Sequence, residues 1–434
     1  MLRSSSLGFD RHVMTHEYST EAHLQAQSED FPLAGVRICL VFEYSLSHYT
    51  RILVEIEALQ AAGAAIQLLT SYLSPEDAPP GIPRTIAPLG NSVPDGKTLR
   101  RPTRIARNMV RHSLHRVIGR PWPERHPLPR GAALRKLAKQ VDLFWVIDYP
   151  SLPTVVDAAK TTNARILYET VDLVPEYQYR SRRELEGERR VIGRIDGFVT
   201  ACDSYADYYM ERYGVSILRR RPVVRDNMPP RIVAKYKPSE QPLRLIFLGS
   251  LMFDRPVSEL IESVAHSTKN VTLTFQGKNY LGEEPHARIA ELGLQDRVKV
   301  LEPCAPEESV QTAAEYDIGV VALRGENENE RRASTSKLFT YMAAGLVILG
   351  SDLPGIARVV QRHSNGVLVG QMRPADWAMA IDRLASMPSS DIDDMKQHSL
   401  DAAQLYAWEK QRPAFLAEFL RALDRPGQEA ANEE

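Results

Sequence analysis

Ser334, Thr335, Ser336 and Lys337 lead directly into the apolar run Leu338–Ala344, which Gly345 stops. A helix that opens this way gathers free backbone N–H groups, the positive end of a macrodipole and a mobile cation at one point. That combination suits phosphate. The short apolar run after Gly345, Leu346–Gly350, predicts a buried strand behind the helix, and Pro354 follows close after it. A second group is Gly249 and Ser250, which follow the apolar run Leu243–Leu248, with Asp254 and Arg255 a few residues on. A glycine–serine turn alone fits an ordinary strand-to-helix connection equally well. Two carboxylates stand at similar points: Asp148 after 141–147, and Asp172 shortly after 164–168. Each could face a cleft or simply cap the helix that follows.

The elements that must hold these residues alternate. Residues 36–42 predict a central strand, followed by a loop with His48 and Tyr49, a helix over 51–62 and a strand over 66–69. Further strands are expected at 141–147, 164–168 and 197–201, with helices at 153–161, 184–195 and 204–213. Five prolines between 219 and 242 interrupt the pattern, and it restarts with strands at 243–248, 271–276, 298–300 and 318–322 and helices at 257–267 and 284–292. Repeated strand–helix–strand order implies a parallel sheet covered on both faces, twice. The fold class is therefore α/β, two Rossmann-like, doubly wound parallel-sheet domains facing a cleft. Residues 1–34 read as a disordered lead-in, 35–225 as the first domain, 226–242 as the linker, 243–404 as the second domain and 425–434 as a tail. A long helical pattern over 399–423 is expected to break near Pro413 and to return to the first domain over 405–424.

With 434 residues, 43% hydrophobic and 25% charged, the chain can bury two ordinary cores. Its N-terminus lacks an apolar signal core, and no run reaches the length of a membrane span. Cys39, Cys202 and Cys304 have no metal-ligand spacing and read as free thiols of a reducing compartment. A net charge of −1 hides a strong asymmetry: residues 97–139 hold thirteen Lys/Arg against the single acid Glu124. Ile105, Met109, Val110, Leu114, Val117, Ile118 and Trp122 are interleaved at roughly helical spacing. A basic amphipathic segment favours an anionic membrane surface, although a solvated or domain-packed helix has the same pattern. No nucleic-acid recognition motif accompanies it.

The block from Ser334 to Gly345, with the Gly249 turn, resembles the nucleotide-sugar motif of GT-B glycosyltransferases, in particular the retaining family 4 type of bacterial polysaccharide synthesis. Tyr406-Ala407-Trp408-Glu409 is similar to the family's final-helix motif. The resemblance implies that Gly249, Ser250, Arg255, Ser336 and Lys337 hold the donor diphosphate, and that Arg255 and Lys337 stabilise the pyrophosphate as it leaves. It places Thr335 and Thr340 beside the nucleotide or sugar, and His48 and Tyr49 on the acceptor side. One departure stands out: the family's two glutamates, eight positions apart, fall on Arg332 and Thr340. Gly249–Asp254 and Ser334–Tyr341 also resemble segments of the inverting glucuronosyltransferases of xanthan assembly, which lack the second glutamate. By that resemblance Arg165-Ile166-Leu167-Tyr168 leads to Asp172 as a catalytic base, while Asp148 behind it occupies the place where the retaining relatives often have a histidine near the sugar. Glu169 and Glu176 read as ordinary surface acids, and Arg225-Asp226-Asn227 as structural.

These implications define an expected glycosyltransferase. Its donor would be a UDP-sugar and its acceptor a saccharide or lipid-linked saccharide of cell-surface polysaccharide synthesis. It would need neither metal nor cofactor, and would sit on the cytoplasmic membrane face through residues 97–139. A degenerate scaffold of the same fold, or a soluble enzyme acting on a small molecule, remain open alternatives at this point, as do the sugar, the acceptor and the stereochemistry.

Overall fold

A computed structural model describes residues 31–42, 49–70, 82–86, 131–176 and 182–424. His48, most of the lead-in, residues 97–130 of the basic segment and the tail from residue 425 lie outside these ranges. The first half runs β1 (Arg37–Phe42), α1 (Thr50–Ala61), β2 (Ala65–Thr70), β3 (Arg84–Ile86), α2 (Gly131–Ala138), β4 (Leu143–Ile147), α3 (Leu152–Ala159), β5 (Arg165–Thr170), α4 (Arg182–Val191), β6 (Gly197–Thr200), α5 (Asp203–Leu218) and β7 (Val223–Val224). The second half opens with β8 (Leu243–Leu248), α6 (Val257–His266), β9 (Val271–Gln276), α7 (Glu284–Glu291), β10 (Val298–Leu301), α8 (Ser309–Ala313) and β11 (Ile318–Val321). It continues with α9 (Glu328–Arg332), α10 (Ser336–Ala343), β12 (Val347–Ser351), α11 (Pro354–His363), β13 (Gly366–Val369), α12 (Pro374–Ala385), α13 (Ser389–Leu405) and α14 (Trp408–Leu423).

The strands form two sheets, β3-β2-β1-β4-β5-β6-β7 and β10-β9-β8-β11-β12-β13. Every pairing is parallel. The apolar runs explain this: β4 is buried along its whole length, as a strand with helices on both faces must be. In each sheet the strand order reverses at one point, between β1 and β4 and between β8 and β11. In open α/β sheets the crevice outside the carboxyl ends of such strands is where ligands sit. Asp148 follows β4 and Gly249 follows β8, so both stand at a reversal point.

Tyr406 and Trp408 divide the C-terminal helices between the two halves. Tyr406 ends α13 and packs edge-on against Phe339 of α10, with ring centroids 5.3 Å apart. Trp408 starts α14 and lies under the Arg225 guanidinium, 4.6 Å from its ring centroid. Between them Ala407 is extended, so the helix breaks there and not at Pro413 as its sequence suggested. Pro413 sits on the exposed face inside α14, where water can satisfy the carbonyl it leaves free. α14 then returns to the first sheet. Phe415 and Phe419 are fully buried, Phe419 packs edge-on against Trp145 at 5.6 Å, and Glu418 accepts the Phe198 N–H at 2.9 Å. The lead-in also ends earlier than residue 34, because Leu33 is fully buried and its N–H donates to Ala62 at 2.8 Å.

Candidate functional site

The second half contributes a cationic pocket built on glycines. Gly249 leaves β8 with φ +123°, a conformation that favours glycine. A Cβ on Gly277 would lie 2.1 Å from the Gly249 carbonyl oxygen, so the loops after β8 and β9 pack backbone to backbone. They are strapped together by Leu251 N–H to Lys278 O at 3.0 Å and Tyr280 N–H to Leu251 O at 2.9 Å. α10 is brought over this turn by Tyr341, whose buried hydroxyl accepts the Leu248 N–H at 2.8 Å. Gly319 makes room for that ring, since a Cβ there would come within 2.2 Å of Tyr341 Cγ.

Docked in this way, the start of α10 aims at the Gly249 turn. A Cβ on Gly249 would stand 3.4 Å from Lys337 Nζ, and that nitrogen lies 3.9 Å from the centroid of the Phe247 ring. Burial is the main cause that pushes the Lys337 amine down to about 7; the nearby Arg255 cation adds to it, and Asp254 opposes it. Arg255 itself lies 3.8 Å from Asp254 through Nε. Thr335, the residue before α10, is extended, and its buried hydroxyl has no hydrogen-bond partner among the described residues. Ser250 follows Gly249 in the chain, and Ser336 is the first residue of α10. Thr340 is 9% exposed, and its hydroxyl donates to the Ser336 carbonyl at 2.9 Å, which leaves it only lone pairs to offer a ligand. Two cations, one of them desolvated, beside a helix N-terminus and glycine backbone make a strong site for a diphosphate.

The first half contributes carboxylates. Asp148 adopts φ +61°, a strained conformation for a side-chain-bearing residue, and is 6% exposed. Its Oδ1 accepts the backbone N–H of Val171 at 2.9 Å and of Asp172 at 3.2 Å. Burial, and then the Asp172 carboxylate, push Asp148 up to about 8, against the two backbone N–H groups that favour its charged form. Asp172 is half-buried on the turn between β5 and a 3₁₀ turn, Val174–Glu176. Tyr49 precedes α1 and packs edge-on against Phe42 at 5.0 Å.

The structure therefore assembles Gly249, Arg255, Thr335 and Lys337 in one place and Asp148 and Asp172 in another. α9 joins them. Asn329 donates through Nδ2 to Asp172 Oδ1 at 3.5 Å, and at most roughly 20 Å of chain can separate Asn329 from Thr335.

Glu169 and Glu176 are not surface acids. Glu169 is fully buried and accepts from Arg51 Nε at 3.0 Å and Trp145 Nε1 at 2.9 Å. Together with Glu55 and Arg225 it forms a buried ion cluster in which Glu55 is raised to about 8, first by burial and then by Glu169. The alternation of strands places Glu169 inward, opposite Ile147, and only a buried cation makes that tolerable. Glu176 is half-buried, accepts from the Tyr208 hydroxyl and pairs with Arg212 at 3.4 Å. Arg332, on one of the two positions where glutamates were expected, bridges Glu328 at 2.9 Å and Glu211 of α5 at 2.8 Å and lies over Tyr208. Sequence reasoning passed over Asn329, although Asn327 and Glu330 gave a signal. Asn327 Oδ1 accepts the Glu330 N–H at 2.9 Å, and an Asn followed three residues later by Glu marks a helix start.

Two Rossmann-like units with facing ligand edges and a returning C-terminal helix define a GT-B protein, with a diphosphate-type pocket in its second unit. Residues 242–387, most of that second unit, match the family described as glycosyl transferases group 1. A D-inositol 3-phosphate glycosyltransferase of Nocardia farcinica is 25% identical over 264 residues, 55% of this chain and 55% of its own length. A GDP-mannose:cellobiosyl-diphosphopolyprenol alpha-mannosyltransferase of Xanthomonas campestris is 25% identical over 170 residues, 39% of this chain and 43% of its own. The chain spans about half the length of the curated relatives it matches. Among solved structures, Anabaena HepE in complex with UDP-glucose aligns at TM-score 0.64 with 15% identity, over 88% of this chain and 99% of that one. The lipopolysaccharide outer core galactosyltransferase WaaB aligns at 0.61, also with 15% identity, over 88% and 99%. At such identities the likeness is one of fold.

Proposed function

We propose that the protein is a glycosyltransferase that moves a sugar from a nucleoside-diphosphate sugar, a UDP-sugar, to a saccharide or lipid-linked saccharide of cell-surface polysaccharide or glycolipid synthesis. The observation that carries this reading is the convergence of Lys337, Arg255 and the N-terminus of α10 on the Gly249 turn. In the reaction the acceptor oxygen attacks the anomeric carbon and the bond from that carbon to the phosphate oxygen breaks. Charge then grows on the leaving diphosphate, where the two cations and the helix N-terminus stabilise it. Asp172 is the candidate base that takes the acceptor proton. Asp148, bound to the peptide that carries Asp172, positions it.

The HepE structure was solved with UDP-glucose, which supports a uridine donor. The Xanthomonas relative's name, with its diphosphopolyprenol acceptor, supports a lipid-linked one. Among the described residues no helix is long and apolar enough to cross a membrane, and no cluster of three metal-ligating side chains occurs. A peripheral site on the inner membrane face through residues 97–139, and a reaction needing no metal, belong to this proposal. A non-catalytic scaffold of the same fold is the second reading, favoured by Arg332 being committed to ion pairs at the position of an expected glutamate.

The test is a thermal-shift panel of UDP, GDP, UDP-glucose, UDP-glucuronate and GDP-mannose on wild type and Lys337→Ala, followed by release of nucleotide from whichever sugar donor binds. At 100 times its dissociation constant a donor stabilises by about 2.7 kcal/mol. A shift by one nucleotide class, lost in the variant, supports the enzyme. No shift with any of the five favours the scaffold.

A further inference from the structure

We infer that Asn329, carried on α9 of the second domain, is a positioning residue that orients the Asp172 carboxylate when the two domains meet, an inference that rests on Asp172 being the base.

Asn329 Oδ1 accepts the backbone N–H of Leu173 at 2.7 Å and the hydroxyl of Tyr205 at 2.6 Å. A backbone N–H can only donate, so these contacts settle which end of the amide is the oxygen. The amide nitrogen is then left facing Asp172 Oδ1, at 3.5 Å. From the other side, Asp148 Oδ1 accepts the N–H groups of Val171 and of Asp172 itself. The peptide that carries the base is therefore held by one side chain from its own domain and one from the domain that bears the cationic pocket.

α9 itself is well anchored. Asn327 caps it, and Glu330 Oε2 accepts the N–H groups of Gly325 at 3.0 Å and Glu326 at 3.2 Å. Its far end is tied to the first domain by Arg332 on Glu211 at 2.8 Å, and α11 of the same domain as α9 is tied there by Arg358 on Asp207 at 2.7 Å. The Asn329 contacts exist only with α9 seated. Separation of the domains would withdraw the amide from Asp172, and closure would restore it. Base alignment is thereby coupled to the docking of the donor-side domain. An N–H donated to a carboxylate also stabilises its charged form, so the base would hold its proton less tightly when the domains are docked.

The test uses the full chain with carbon-13 in the aspartate carboxyls, and Asp172→Asn to assign the resonance of Asp172. In Asn329→Ala the ionisation of Asp172 should move up by about half a pH unit or more. Asn329→Asp keeps an acceptor oxygen for Leu173 and Tyr205 but sets a second carboxylate against Asp172, and should move it further in the same direction. Where the alanine variant fails to fold, the near-isosteric aspartate variant carries the measurement. With the donor identified from the panel, the acid limb of kcat should shift with the resonance while KM for the donor stays within about twofold. Asp172 ionising at the same pH in wild type and a folded Asn329 variant overturns the inference. Full transfer by Asp172→Asn instead overturns the base, and would do so even if the resonance shift were found.

Discussion

The affinity for a nucleotide sugar should depend on pH through Lys337. In the free protein this amine is pushed down to about 7, mainly by burial and then by Arg255, so about half of it is charged at pH 7. A bound pyrophosphate favours the ammonium and raises its pKa, so binding takes up a proton. The sign follows from linkage: affinity is fully present below pH 7 and falls as pH rises through and above that value. The fall is about tenfold per pH unit, or about 1.4 kcal/mol, until the pKa of the bound state is reached. From pH 6 to 9 the dissociation constant of UDP-glucose should therefore rise by roughly 100-fold. A sugar nucleotide is the right ligand, because each of its phosphates carries one ester and the shared anhydride, has no group that titrates near pH 6, and keeps its charge over this range. The terminal phosphate of UDP titrates near pH 6. Isothermal calorimetry in buffers of different ionisation enthalpy should show uptake of about half a proton at pH 7 and nearly one at pH 8. Lys337→Arg should bind with a flat pH profile, because a guanidinium stays charged throughout. Lys337→Ala should also be flat, and weaker at pH 6 by about 10- to 100-fold, the worth of one charge-assisted hydrogen bond. A wild-type profile that is flat between pH 7 and 9 would refute the argument. A slope that survives in Lys337→Ala would assign it to another group, Asp148 first, since that carboxyl is raised to about 8.

Three further outcomes follow from the packing. Gly319→Ala puts a Cβ within 2.2 Å of Tyr341 Cγ. It should cost about 1–3 kcal/mol in urea unfolding and weaken UDP binding, because Tyr341 sets the height of α10; unchanged binding would show that α10 does not depend on that ring. Glu169→Gln leaves Arg51 and Arg225 buried with one carboxylate fewer, and should destabilise by about 3–5 kcal/mol in chemical denaturation. Thr340→Val removes a hydroxyl whose proton is already given to Ser336, so UDP affinity should stay within about twofold. A tenfold loss in isothermal calorimetry would place that hydroxyl on the ligand.

What the sequence determined by itself is local. The apolar runs that became β1, β4, β8 and β9, the glycine stop after α10 and the Ser/Thr–Lys start of the same helix are each written in adjacent residues. Alternation of strand and helix is enough to imply two parallel sheets, and hence a facing edge where Asp148 and Gly249 emerge. Arg255 and Lys337 were nameable as candidate diphosphate ligands because the motif they resemble carries such residues. Only the tertiary structure decided the rest. Glu169 looks like any acid until the strand register turns it inward onto Arg51, a residue 118 positions away. The helix break at Ala407 is set by two aromatic anchors on different domains, Tyr406 on Phe339 and Trp408 on Arg225, and no local rule places it there. Asn329 sits in a run of acids and amides that reads as solvated surface, and its contacts lie 124 to 157 residues away. Propensity and spacing report on neighbours along the chain, within a turn or two. The orientation of a candidate base by a residue from the other domain depends on how the two domains dock.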